Sequence, residues 1–152
     1  MSYDYDAYSG DATVVVLDND KAAAVSQGGG KHVTLTLTEE QGGEITSGDL
    51  VICEELVGVA MTDWDAATGT VVIDIDHAYY FEVAGVDADG DAELPVGSWV
   101  YYDAVNTALT GVINSANRPV GIILQSVPEG VIRTVPVLIK QCPWAAITEL
   151  IS

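Results

Sequence analysis

Residues 33–38 read Val33-Thr34-Leu35-Thr36-Leu37-Thr38, apolar side chains alternating strictly with threonines. A two-residue period puts every apolar side chain on one face of an extended strand, which no helix can reproduce. Threonine strengthens the reading, because a β-branched side chain suits a pleated surface better than a helical one. The chain on either side continues in this style. Leu50 to Cys53 and Leu56 to Met61 predict two short strands. Val71, Ile73 and Ile75 alternate with Asp74 and Asp76, and Tyr79 to Ala84 predicts another strand. After Pro95, the run Ser98 to Asp103 places Trp99 and Tyr101 on one face and Val100 and Tyr102 on the other. Leu109 to Ile113, Val120 to Leu124 and Val131 to Ile139 complete the series. Gly42-Gly43, Ala67-Thr68-Gly69, Asn106-Thr107 and Pro128-Glu129-Gly130 interrupt it with turn-forming residues. Many short strands punctuated in this way predict an all-β fold, either a small β-barrel or a β-sandwich of short antiparallel strands.

Residues 1–30 differ from the rest. Tyr3, Tyr5 and Tyr8 are interspersed with Asp4, Asp6 and Asp11, a short apolar run follows at Val14 to Leu17, and Gln27-Gly28-Gly29-Gly30 closes the segment. Three consecutive glycines predict a hinge, since glycine has no preferred sign of φ. The segment reads as an extended N-terminal arm with room for one strand. It precedes a β domain at residues 31–140 and a C-terminal tail at residues 141–152, where Ala145 to Ile151 after Pro143 suggests a short helix.

A 152-residue chain can bury about 68–70% of its unfolded surface, enough for one domain with its own core. Apolar residues make up 49% and charged residues 18% of the composition, which excludes wholesale disorder. The charge is lopsided, with 23 acidic and 5 basic residues and a formal net charge of −18. Nucleic-acid binding requires clustered Lys and Arg to displace counterions. Lys21, Lys31, Arg118, Arg133 and Lys140 are too few and too scattered for that, so neither nucleic acid nor an anionic membrane is an expected partner. Cys53 and Cys142 lack a CxxC spacing and read as reduced strand residues, with a disulfide between them left open. The opening MSYDYDAYSGD has neither the basic nor the apolar region of a signal peptide, and no apolar run is long enough to span a bilayer.

Reactive chemistry is hard to find. Gly28-Gly29-Gly30-Lys31-His32 superficially resembles a phosphate-binding loop, but Val25 stands where that loop needs its first glycine and His32 where it needs Ser or Thr. Asp87, Asp89 and Asp91 form the best metal candidate, because alternating aspartates can present several oxygens to calcium. An EF-hand would need glycine and glutamate where Ala92 and Ser98 stand, so an ordinary acidic hairpin loop is the competing reading. His77 follows Asp74 and Asp76, which allows a histidine–carboxylate contact. There is no nucleophile elbow, no Cys–His motif and no zinc-protease motif. Acidic pairs such as Glu54-Glu55 are expected by chance in so acidic a chain. Trp99, Tyr101 and Tyr102 suit either a sugar-stacking platform or an oligomer interface. The reading is non-enzymatic, with no cofactor.

The order of motifs carries a resemblance. Ile45-Thr46-Ser47-Gly48-Asp49-Leu50-Val51 is followed by Leu56-Val57-Gly58-Val59-Ala60-Met61-Thr62-Asp63, then by the Gly69 to Ile75 strand and Phe81-Glu82-Val83. Val96-Gly97-Ser98-Trp99-Val100-Tyr101-Tyr102-Asp103-Ala104, Pro119-Val120-Gly121-Ile122-Ile123-Leu124 and Val135-Pro136-Val137-Leu138-Ile139 come later. Over residues 31–140 this series resembles the small phage proteins called capsid decoration or cement proteins. That family has also carried a RecA/RadA-like recombinase label, which the missing phosphate loop does not support.

The resemblance implies a protein of the virion, made in the host cytoplasm and seated on the outer capsid surface, where it bridges major capsid subunits. It implies the major capsid protein as partner, and icosahedral threefold sites favour a homotrimer over a dimer. Tyr3, Tyr5 and Tyr8 of the arm, with Trp99, Tyr101 and Trp144, are the expected capsid or oligomer contacts, as amphipathic aromatic anchors enriched at interfaces. The tail around Trp144, Ile147 and Leu150 is expected to cover a sheet edge or a sister subunit. The alternative function is a calcium- or glycan-binding β module of a virion appendage.

Overall fold

The structure is a computed structural model that describes residues 3–8, 13–19 and 30–142. Its elements are β1 (Tyr3–Tyr8), β2 (Val14–Leu17), β3 (Lys31–Thr36), the one-turn helix α1 (Glu39–Gly42), β4 (Leu50–Cys53), β5 (Leu56–Ala60) and β6 (Thr70–Asp74). They continue as β7 (Ala78–Ala84), β8 (Val86–Asp87), β9 (Gly90–Asp91), β10 (Trp99–Asp103), β11 (Ala108–Thr110), β12 (Arg118–Ile123) and β13 (Ile132–Ile139). The fold is all-β, as the alternation requires. Barrel and sheet both occur. β10, β11, β7, β13 and β12 close into a small barrel, while β1-β3-β6-β5-β4-β2 form a six-stranded sheet. Most pairs are antiparallel, but β1 runs parallel to β3 and β11 parallel to β7.

Strand β4 explains how the two parts share a core. Leu50, Val51, Ile52 and Cys53 are all buried, and no polar residue marks an outward face. Successive side chains point to opposite faces. Leu50 and Ile52 accordingly pack with Phe81, Val83, Val100 and Val137 of the barrel, while Val51 and Cys53 pack with Val33, Leu35, Val71 and Ile73. Each fully buried side chain of this size contributes about 1.5–3 kcal/mol. The apolar residues that alternate with threonine lie on one side, with Val33, Leu35 and Leu37 buried.

The N-terminal segment supplies two paired strands where one was expected. β1 pairs with β3 from Tyr3 opposite Lys31 to Tyr8 opposite Thr36, and β2 pairs with β4 from Val14 opposite Cys53 to Leu17 opposite Leu50. These strands occupy opposite edges of the sheet. The second cluster, with Val14 and Val16 packed against it, lies on the face that β4 turns away from the barrel.

A short helix appears where the sequence predicted only a break. Thr38 leaves the strand pattern to cap α1, its hydroxyl accepting from the Gln41 N–H at 3.2 Å while the Gln41 side chain accepts from the Thr38 N–H at 2.9 Å. Thr38-Glu39-Glu40-Gln41 is a capping box, and Gly43 closes the turn. The proposed hinge at Gly28-Gly29 and the helix at Ala145 to Ile151 lie outside the described residues.

Candidate functional site

Among the expected contact aromatics, the side chains of Trp99 and Tyr101 lie within the described residues. On β10, Trp99 is half-buried while Tyr101 and Tyr102 are buried. Both faces of this strand are covered, with Val100 and Tyr102 in the barrel core and Tyr101 buried on the other side. Of the suggested aromatic platform, only Trp99 reaches solvent. Tyr3, Tyr5 and Tyr8 take their places along β1 by backbone pairing. Trp144, with Ile147 and Leu150 of the tail, lies outside the described residues.

Asp87, Asp89 and Asp91 sit on a tight hairpin in which Val86 pairs with Asp91 and Asp87 with Gly90. The Asp87 carboxylate closes the turn by accepting from the Asp89 N–H at 2.9 Å. Gly90 adopts φ +119°, the left-handed conformation that such a turn asks of glycine. Among the described residues no three His, Cys, Asp or Glu side chains are grouped to hold a metal ion.

The histidine–carboxylate contact is present and centres on Asp74, which is 1% exposed. Its carboxylate accepts from the Tyr79 hydroxyl at 2.7 Å and the Asp76 N–H at 3.1 Å, and lies 3.2 Å from His77 Nδ1. His77 and Tyr79 meet edge to face, with ring centroids 5.4 Å apart. Gly30 packs directly on the carboxylate, where a Cβ would stand 2.7 Å from an oxygen. A buried charge is tolerated when donors surround it. Burial, then the hydrogen bond to Asp74 and its charge, push the Tyr79 hydroxyl pKa well up. That is the reverse of activation for a phenol base. The cluster instead ties the end of β6 to the start of β7, with Gly30 packed against it.

Three more groups move the same way. Burial first, then the charge of Glu54, pushes the Cys53 thiol up. Burial and Glu55 raise Cys142, and burial and Cys142 raise Tyr101. The folded chain thus holds these protons to higher pH than the unfolded chain, whose thiols and phenols titrate near 9.0 and 10.0. Their contribution to stability is complete below pH 9.0 and is lost as pH rises past the unfolded values toward the folded ones. The thermal midpoint is therefore expected to fall as pH rises through about 9–10, where the unfolded thiols and phenols begin to titrate. A midpoint that stayed level across that range would contradict these environments.

Sequence reasoning did not find the exposed apolar side chains. Val105 is 88%, Ile132 68% and Val96 65% exposed. Val105 follows from the hairpin between β10 and β11, and Ile132 with Asn106, Thr107, Leu17 and Glu82 lines a cavity of about 320 Å³ at one end of the barrel. No two-residue period distinguishes these residues from core, since their exposure depends on which strand ends the barrel leaves uncovered.

Taken together, the described residues form an all-β body of one barrel, one six-stranded sheet and a small hairpin. No curated protein and no solved structure matches the chain. A family model described as phage cement protein matches residues 27–139, well over half of the chain. The chain belongs to this family of structural proteins associated with the phage capsid.

Proposed function

We propose that this protein binds the outer surface of a phage shell and stabilises contacts between major capsid subunits, acting without catalysis. The family match over residues 27–139 carries the reading. The protein works as a homo-oligomer, a trimer in preference to a dimer, so that several modest contacts act together through effective concentration. Residues 1–30 serve as the capsid-binding arm of a β domain at 31–140, with residues 141–152 as a tail. Tyr3, Tyr5 and Tyr8 are its anchors.

The test is co-sedimentation of purified protein with undecorated shells of its own phage. Saturable binding at a fixed ratio to capsid subunits is expected, and the ratio reports the symmetry site. Absence of binding to both immature and expanded shells would overturn the reading. For the arm, a variant lacking residues 1–12 keeps β2 paired on β4 and should lose most of its shell affinity. Unchanged affinity would remove the arm from the mechanism.

A further inference from the structure

The end of the molecule where β1 joins the sheet and β13 leaves the barrel carries most of the described positive charge. Lys31, Asp76, Lys140 and Gln141 line a notch of about 260 Å³. Lys31 reaches Asp76 at 3.7 Å, an exposed pair of little energetic weight. Lys140 is exposed, and its ammonium has no ion-pair partner among the described residues. Next to the notch, Glu55, Leu56, Gln141 and Cys142 wall a second hollow of about 380 Å³. Arg118 donates to the carbonyl of neighbouring Glu54. Arg133, the remaining described cation, binds the Ser126 carbonyl at the opposite end of β13.

This end is also held rigid. The Gln141 side chain accepts from the Val57 N–H at 2.9 Å and donates to the carbonyls of Val57 and Ile75 at 2.7 and 3.0 Å. It bridges β5 and the end of β6 where the two strands part, since their pairing stops at Val59 opposite Asp74. Glu54, with φ +53°, is fixed by a two-way contact with Thr13, at 2.9 Å in each direction. The lysines therefore stand on a braced frame.

In a chain of net charge −18, another protein surface that carries carboxylates approaches at least cost through the cations. β1 begins beside them, with Tyr3 in register with Lys31. We infer that the Lys31–Lys140 notch faces the shell and takes a carboxylate-bearing segment of the major capsid protein, alongside β1. This rests on the cement reading and adds the face that docks.

Two measurements on the full chain test it. Zero-length carbodiimide cross-linking of the unaltered protein on shells should join Lys31 or Lys140 to capsid carboxylates. In co-sedimentation at low salt, K31E/K140E should bind at least about tenfold more weakly than the unaltered protein. E93K, placed away from the notch, should bind as the unaltered protein does. Raising salt should weaken the unaltered protein toward the double variant. Cross-links confined to other residues would overturn the inference, as would unchanged binding by K31E/K140E, while the cement reading stood. Failure of the unaltered protein to bind any shell would overturn both. The cross-linking arm decides the matter even if the charge reversal unfolds the chain.

Discussion

Gly121→Ala is expected to cost about 4 kcal/mol or more, a large share of the 5–15 kcal/mol that stabilises a domain. Gly121 lies in β12 opposite Ile139 of β13, and on its other side opposite Val100 of β10. A Cβ there would stand 2.0 Å from the Leu138 carbonyl oxygen and 3.1 Å from the Ile139 Cα. Both obstacles are backbone, so no rotamer change relieves the clash. Overpacking against side chains costs about 1–3 kcal/mol. Here β12 and β13 must separate, and β12 cannot retreat because β10 closes the barrel behind it. Gly97→Ala is the matched control. Gly97 has φ +90° with nothing within 4 Å of its Cβ position, so only backbone strain of about 1–2 kcal/mol applies. Urea unfolding of the two variants compares them directly. A Gly121→Ala midpoint equal to that of Gly97→Ala would show that the barrel seam yields without cost.

Asp74→Ala should lose about 3–5 kcal/mol. Hydrogen bonds to a charged group are worth about 1.5–3 kcal/mol each, and Asp74 accepts from both the Tyr79 hydroxyl and the Asp76 N–H. Removing the carboxylate strands the Tyr79 hydroxyl, on a side chain only 9% exposed. It also opens space beneath Gly30, where β3 begins. Tyr79→Phe alone should cost about 1–2 kcal/mol. In the Asp74→Ala background the same change should be nearly free, because the interaction is already gone. Additive costs in this double-mutant cycle would mean that the two residues act separately and that the anchor is misassigned.

Much of this protein was legible before its tertiary structure. Val33 to Thr36, Tyr79 to Ala84 and the runs near Val120 and Val135 declare their strands, because the side-chain period of an extended chain is set by local geometry. The turns were equally plain where Gly or Pro occupies them. The cement family resemblance rested on the order of such motifs, and several of their polar residues prove to be turn fasteners. Asp49 accepts from the Thr46 N–H and hydroxyl, and Asp103 from the N–H groups of Val105 and Asn106. The capping box at Thr38 to Gln41 was readable in principle, but the preceding alternation concealed it.

The sequence by itself determined an acidic, all-β chain with strands in these places and without a recognisable reactive motif, since composition and period are local properties. Tertiary structure decided everything that depends on which strands become neighbours. It closed β10, β11, β7, β13 and β12 into a barrel, joined six others into a sheet and left β8 and β9 as a separate hairpin. It buried Tyr101 and exposed Ile132, although both occupy strands of similar apolar character. It set Lys31 beside Lys140, more than a hundred residues apart in the chain, at one notch. Strand pairing across such separations obeys hydrogen-bond register and core packing over the whole domain, and no short window of sequence contains that information.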